Sequence, residues 1–164
     1  MEAALGRRPA GGYRVAVRAP DGVPVVIAND PLLYDGTPMP TLYWLVAPDL
    51  RSRVSRLESE GGVRRAEAGV DPGELIASHE RYAAERDRIL AAGHAGHSGP
   101  RPSGGVGGTR RGVKCLHAHL AWHLAGGEDP VGLLVAGWLG IDTALYVVDE
   151  EHAEQRMEPG SRPG

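Results

Sequence analysis

The pattern of apolar and polar positions along the chain predicts three strand regions and several helices, and only the first strand region shows a clear two-residue alternation. Residues 13–28 hold two strand-like runs on either side of the turn sequence Pro20-Asp21-Gly22, which predicts a hairpin. Residues 41–46 are the most strand-like run in the chain, and we expect this strand in the middle of the sheet. A further strand is predicted over 143–148. Three prolines within 30–40 favour an extended loop between these strands.

The helical period and capping residues predict the remaining elements. One helix is expected from Pro48 to about Glu60, and a second follows the Asp71-Pro72 cap as far as about Ala92. A third covers residues 113–125, and a shorter one follows Asp129-Pro130. The pattern therefore predicts an α+β fold, in which a small antiparallel sheet is covered by three or four helices.

Length and terminal composition suggest one domain with a tail. The chain has 164 residues, within the usual size of a single domain. We expect this domain to span residues 6–148. Residues 149–164 are acidic and then rich in proline and glycine, so we expect them to form a flexible tail. The 24 glycines and 13 prolines exclude a bundle of long helices, because both residues weaken helix interiors.

Net charge and hydropathy limit the cellular location and the binding partners that we expect for the protein. A net charge of −3 gives no overall attraction to nucleic acid, which we do not expect as a partner. The sequence contains neither an apolar stretch long enough to span a membrane nor the apolar core of a secretory signal. We therefore expect a cytoplasmic protein without a membrane span, and we leave open whether it forms a homodimer.

The sharpest change in composition is a glycine-rich loop over residues 93–112, which holds eight glycines in twenty positions. Converging backbone N–H groups, the start of the next helix and several basic side chains are the components of an anion site. The candidate anion-binding residues are Thr109, Arg110, Arg111, Lys114 and His117. The loop does not match the phosphate-binding loop of nucleotide hydrolases, and a flexible linker is the alternative interpretation.

The single cysteine, Cys115, lies among histidines and has three interpretations. A small buried core residue is the simplest, with neither a metal nor another cofactor expected. Cys115, His119 and His123 would form one stripe of the helix over 113–125, which leaves a metal site as a weaker alternative. Cys115 or His117 could instead act in catalysis together with His79, a histidine on the apolar face of the preceding long helix.

Three segments resemble an actinobacterial family catalogued as domain of unknown function 501. They are residues 35–45 (DGTPMPTLYWL), 54–58 (VSRLE) and 111–117 (RGVKCLH), and the resemblance extends over roughly residues 6–140. Genes of this family commonly lie beside those for a septum-formation-initiator-like protein and an exopolyphosphatase-type phosphatase. The resemblance therefore implies a setting in cell division or phosphate metabolism, and no defined activity.

The chain departs from that family at three positions. Many members carry cysteines where this chain has Ala19, Asp21 and Ala47, whereas Cys115 is retained. If the family's four thiols hold a zinc ion, this chain lacks that site.

These observations lead to one principal functional hypothesis and two alternatives. We expect a binding or regulatory module with an anion or phosphate pocket at the glycine-rich loop, and with a phosphate-bearing small molecule or a protein as its partner. The first alternative is a small hydrolase or transferase using His117 or Cys115 with His79. The second is a protein–protein adaptor linked to cell division.

Overall fold

A computed structural model of the protein describes residues 8–156, and its chain begins with the expected hairpin. Strand β1 (Gly11–Arg18) pairs antiparallel with β2 (Pro24–Leu33). Gly22 closes the turn with a φ of +85°, a conformation that glycine adopts at low cost. The Asp21 carboxylate accepts a hydrogen bond from the backbone N–H of Val23 at 3.1 Å, which stabilises the same turn.

Strand β2 extends through Pro31, within the segment expected to be a loop. The pairing with β1 is irregular at this point, because the partner positions shift between Gly11↔Leu33 and Tyr13↔Asn29. The third strand pairs with β2 only over Val26–Ala28 and does not reach the proline. Pro31 therefore lies in an irregular stretch beyond that pairing, where a missing N–H donor is tolerated.

The sheet has four antiparallel strands in the order β3-β2-β1-β4. Strand β3 (Tyr43–Leu45) lies at an edge of the sheet, so its expected central position was wrong. It is nevertheless well covered, since Tyr43 is fully buried. The strand expected over 143–148 is shorter, with a 3₁₀ turn at Thr143–Leu145 followed by β4 (Val147–Val148), which pairs with β1.

Six α-helices are present in the part of the chain that the structure describes, and the α+β class is confirmed. They are α1 (Pro48–Ser59), α2 (Gly62–Gly69), α3 (Pro72–Gly93), α4 (Leu116–Leu124), α5 (Pro130–Trp138) and α6 (Glu150–Arg156). Aspartate side chains cap three of the starts, and at α6 the Asp149 carboxylate accepts a hydrogen bond from the N–H of Glu151 at 3.1 Å. Asp71 accepts a hydrogen bond from the N–H of Glu74 at 2.9 Å, and Asp129 accepts one from Val131 at 2.9 Å.

Helix α6 lies within the segment expected to be a flexible tail, and it packs onto the core. His152 on this helix is fully buried, and its Nε2 lies 3.2 Å from the hydroxyl of Tyr43. Arg156, in the last turn, forms an ion pair with the buried carboxylate of Glu85 on α3. Residues 157–164 of the same segment lie outside the described residues.

One hydrophobic core joins the sheet to the helices. It is built mainly from valine, leucine and alanine, and the chain contains no phenylalanine. Helix α3 packs against β2, and α4 packs against β3. The largest fully buried aromatic side chains include Tyr43 and Tyr82, whose rings meet edge to face. None of the helices described here is both long and apolar enough to cross a membrane.

Candidate functional site

A cavity of about 970 Å³ lies between the edge strand β3, helix α1 and the start of helix α4. Its volume is within the range of small-molecule sites. Residues from four parts of the chain line it: Thr41, Tyr43, Trp44, Leu45, Pro48, Arg51, Ser52, Ser55, Gly107, Cys115, His117 and Ala118. The cavity thus contains both the single cysteine and one of the candidate catalytic histidines.

Cys115 occupies the cap position of α4 and does not lie within the helix. Its backbone is extended, with φ −147° and ψ 116°, and the helix begins at Leu116. A side chain at this position does not share the helical stripe of His119 and His123, so the expected three-residue alignment is not formed. Cys115 is partly exposed on the cavity wall and packs against the edge of the core.

Cys115, His117 and Glu58 form a compact cluster beside the cavity. The sulfur of Cys115, one ring nitrogen of His117 and one carboxylate oxygen of Glu58 all lie within 4.8 Å of one another. Glu58 Oε1 accepts a hydrogen bond from the backbone N–H of Leu116 at 2.8 Å, which holds the last turn of α1 against the start of α4. His117 Nδ1 lies 3.2 Å from the same oxygen.

The surroundings of His117 favour its cationic form. Nε2 lies 3.2 Å from the carbonyl oxygen of Arg51, which can only accept a hydrogen bond. Nδ1 faces the carboxylate of Glu58, so both ring nitrogens face acceptors and a proton on each satisfies both contacts. A hydrogen bond with Cys115, opposed by burial and supported by the charge of Glu58, raises the pKa of His117 to about 9.

The same three donors are of the types that bind zinc. A thiol, an imidazole and a carboxylate around one point, with an open cavity beside them, resemble the three protein ligands of a catalytic zinc site. Throughout residues 8–156 this is the one set of three such groups close enough to share an ion. The hydrogen bonds within the cluster are also complete with a proton in place of a metal, since Glu58 and His117 are already paired.

The alternative metal set of Cys115, His119 and His123 is not brought together. His119 is fully buried and donates from Nδ1 to Asp129 at 2.7 Å. Nε2 of His119 and Nε2 of His123 are both buried without a hydrogen-bond partner among the described residues. Burial lowers the pKa of His123. Because α4 begins after Cys115, the sulfur faces Glu58 and His117 instead.

His79 holds the glycine-rich loop and does not line the cavity that contains Cys115 and His117. Its Nδ1 accepts a hydrogen bond from the N–H of Val106 at 3.1 Å, and its Nε2 donates to the carbonyl of Gly112 at 2.8 Å. One side chain therefore ties two points of the loop to α3. This pairing requires the neutral ring, and burial lowers the pKa of His79 accordingly.

The five candidate anion-binding residues are divided between different surfaces. Arg110 and Arg111 line a second cavity of about 470 Å³, together with His79. His117 lines the first cavity instead. Thr109 Oγ1 donates to the carbonyl of Arg111 at 2.8 Å. Lys114 is exposed and lines neither cavity.

The loop still reaches the first cavity through Gly107, where the backbone has a φ of +67°. A Cβ at this position would lie 3.6 Å from the Cβ of Cys115. The glycine-rich segment therefore forms part of the wall next to the cysteine.

Four polar residues of α1 that line or support the cavity were absent from the sequence-based candidates, namely Arg51, Ser52, Ser55 and Glu58. Arg51 and Ser55 are one helical turn apart on the cavity side, and Glu58 follows on the same stripe. A signal existed for Ser55 and Glu58, because residues 54–58 are one of the three segments that carry the family resemblance, whereas Arg51 and Ser52 lie outside them. The other two segments, 35–45 and 111–117, also contribute to the cavity wall.

Comparison with known proteins identifies the family of this chain but does not indicate an activity. The family model described as "Protein of unknown function (DUF501)" matches residues 15–137, which is more than half of the chain. No curated protein and no solved structure matches the chain.

Proposed function

We propose that this chain, which belongs to the DUF501 family, is a hydrolase or transferase that uses Cys115 as its nucleophile. The observation that carries the proposal is the clustering of Cys115, His117 and Glu58 within 4.8 Å at the wall of a cavity large enough for a small molecule. In this assignment Glu58, and not His79, is the third residue of the site, because His79 does not line this cavity. A nucleophile, a proton-transfer group and a group that orients it are the recurring components of covalent catalysis.

The charge on His117 supports this role. A thiolate is the reactive form of cysteine, and an adjacent imidazolium stabilises negative charge on sulfur. The raised pKa of His117, with the hydrogen bond to Cys115 as its largest cause, keeps the ring protonated at neutral pH. The cap position at the start of α4 adds the partial positive charge of the helix terminus.

Glu58 and Arg51 fix the orientation of the imidazole. The Glu58 carboxylate lies 3.2 Å from Nδ1, and the Arg51 carbonyl lies 3.2 Å from Nε2. Since Glu58 is itself held by the backbone N–H of Leu116, the ring is positioned from both sides. Such support of a catalytic histidine by a hydrogen-bonded third residue follows the logic of catalytic triads.

The chemistry proposed for this cluster is acyl transfer through a thioester. The Cys115 thiolate attacks the carbonyl carbon of the substrate, a carbon–sulfur bond forms, and the bond to the leaving group breaks. His117 gives its proton to the departing group. Water then attacks the thioester and gives a proton to the neutral His117, after which the carbon–sulfur bond breaks and the acid leaves. In a transferase another nucleophile replaces water.

The test is covalent trapping with an activated ester. We expect intact-mass measurement after incubation with p-nitrophenyl acetate to reveal one added acetyl group per chain, localised to Cys115 by peptide mapping. Cys115→Ala should remove the adduct, and His117→Gln should slow its formation by at least about tenfold. His97→Gln is the matched control, because His97 pairs with Pro100 in the glycine-rich loop and does not line the cavity.

Two outcomes would contradict the proposal. One is acetylation that persists at the same rate without His117, which would mean that the thiol reacts as any exposed cysteine does. The other is one tightly held zinc ion per purified chain that is lost in Cys115→Ala. A metal there would occupy the electron pairs that the nucleophile and the histidine need.

A further inference from the structure

We infer that the substrate of the Cys115 site carries an anionic group, a carboxylate or a phosphate, which binds beside Arg51, Ser52 and Ser55. This inference rests on the proposed function and names the class of substrate. Carboxylate and phosphate share the recognition chemistry of guanidinium and hydroxyl donors.

The first argument is the charge of the cavity wall. Arg51 and His117 line it, and no aspartate or glutamate is among its lining residues in the part of the chain that the structure describes. The nearest acid of the cluster, Glu58, is paired with His117 and with the N–H of Leu116. The cavity wall therefore carries two cationic side chains and no carboxylate among its described lining residues, in a chain whose net charge is −3.

The second argument is the arrangement of donors along α1. Ser52 and Ser55 are three residues apart, and Arg51 and Ser55 are four apart, so all three lie on one side of the helix and line the cavity. Two hydroxyl groups next to a guanidinium are typical of sites for planar or tetrahedral anions. The stripe begins beside the imidazole, since Ser55 Oγ lies 3.2 Å from His117 Nε2.

The opposite wall is apolar. Tyr43, Trp44, Leu45 and Pro48 line the cavity on the β3 side. A ligand that spans the two walls has an anionic group at α1 and an apolar or aromatic portion against the strand. An apolar enclosure with a few placed polar groups is the usual composition of a small-molecule site.

The test compares two alkylating reagents that differ mainly in charge. Iodoacetate is an anion and iodoacetamide is neutral, and Cys115 is the only cysteine available to either. We expect the ratio of the iodoacetate rate to the iodoacetamide rate to be about tenfold higher in the native chain than in the urea-unfolded chain. Arg51→Met should lower the native ratio several-fold. Arg56→Met, on the same helix and away from the cavity wall, should leave it unchanged.

A binding measurement separates this inference from the proposed function. Isothermal titration of Cys115→Ser with phenyl phosphate, benzoate and benzyl alcohol tests anion recognition without the nucleophile. We expect at least one of the two anions to bind, the neutral alcohol to bind at least about tenfold more weakly, and Arg51→Met to weaken the anion. The relative affinity of the two anions identifies which group the site prefers.

The possible results have distinct meanings. The inference is overturned if the ratio of the iodoacetate rate to the iodoacetamide rate is the same in the native and the unfolded chain and the titration shows no preference for anions. Fast reaction of the native chain with iodoacetamide would still support Cys115 as the nucleophile. In another outcome, the anion binds through Arg51 while Cys115 of the native chain proves unreactive. That pair of results would support the anion site and contradict the proposed function.

Discussion

Nδ1 of His117 lies 3.2 Å from Oε1 of Glu58, and this contact joins the last turn of α1 to the first turn of α4. The same carboxylate oxygen accepts the N–H of Leu116, the first residue of α4. One acid thus fixes the start of a helix and the histidine of the candidate site together. The reactivity of Cys115 should therefore depend on a contact between two helices that are far apart in sequence.

The protonation of His117 makes stability depend on pH in the alkaline range. Its pKa is raised to about 9 in the fold, above the usual value of a free histidine. The resulting stabilisation is complete below about pH 6.5 and is lost as the pH rises through about 9, and it amounts to at most about 3 kcal/mol. Urea unfolding should show that the free energy of unfolding falls more between pH 6.5 and 9.5 for the native sequence than for His117→Gln. Equal losses would contradict the assigned cationic state, and His97→Gln should behave as the native sequence does.

His152 has the opposite dependence. Burial, followed by the nearby charge of Arg14, lowers its pKa to about 4. Its contribution is complete above about pH 6.5 and is lost as the pH falls toward 4, for a change on the order of 2–3 kcal/mol. We expect His152→Gln to lose less stability than the native sequence between pH 7 and 4.5, measured by urea unfolding. Parallel pH profiles would show that the buried ring does not resist protonation.

The carboxylate of Glu85 should be important for stability. It accepts hydrogen bonds from Trp122 at 2.8 Å and from Tyr43 at 3.2 Å, and it pairs with Arg156. Glu85→Ala would leave these donors unpaired inside the core, at a cost of about 3–5 kcal/mol in the free energy of unfolding. Denaturant titration measures this cost, with the exposed Glu80→Ala on the same helix as control. A loss below about 1 kcal/mol would mean that water replaces the carboxylate.

The approach of the glycine-rich loop to His79 requires a residue without a side chain. A Cβ at Gly105 would lie 2.5 Å from the Cβ of His79, closer than real atoms pack. We expect Gly105→Ala to destabilise the fold by about 1–3 kcal/mol and to expose the loop to limited proteolysis. Gly96→Ala is the control, since a Cβ there meets no described atom within 4 Å. Equal cleavage of both variants would contradict the close packing of this segment.

Local patterns were sufficient to predict most of the fold. The hairpin, the starts of α1, α3 and α5, and the antiparallel α+β class follow from alternation, proline and capping residues. Those signals act within a few residues, which is why they can be read from one sequence.

Features that depend on distant contacts were harder to predict. Strand β3 lies at an edge, where it pairs with β2 and packs against α4, and β2 continues through Pro31 where its pairing with β1 is irregular. Helix α6 is ordered by buried partners such as Glu85, more than sixty positions away in sequence. Local composition carries no information about such partners.

The candidate site was predicted in part. Cys115 and His117 were recognised as reactive residue types, whereas Glu58 was not, because a glutamate on the exposed side of a predicted helix resembles any solvated charge. The expected stripe of Cys115 with His119 depended on the first residue of α4. Helix boundaries are the least certain feature of a sequence-based prediction, and a shift there changes the direction of every flanking side chain.

The most direct test of the proposed thiol chemistry is the alkylation rate of Cys115 at pH 7 in the native and the urea-unfolded chain. Both states contain the same single thiol, so the comparison isolates the effect of the fold. We predict that iodoacetamide reacts with the native chain at least about tenfold faster, because the imidazolium of His117 stabilises the thiolate. A native rate equal to or below the unfolded rate would contradict the assignment of Cys115 as the nucleophile.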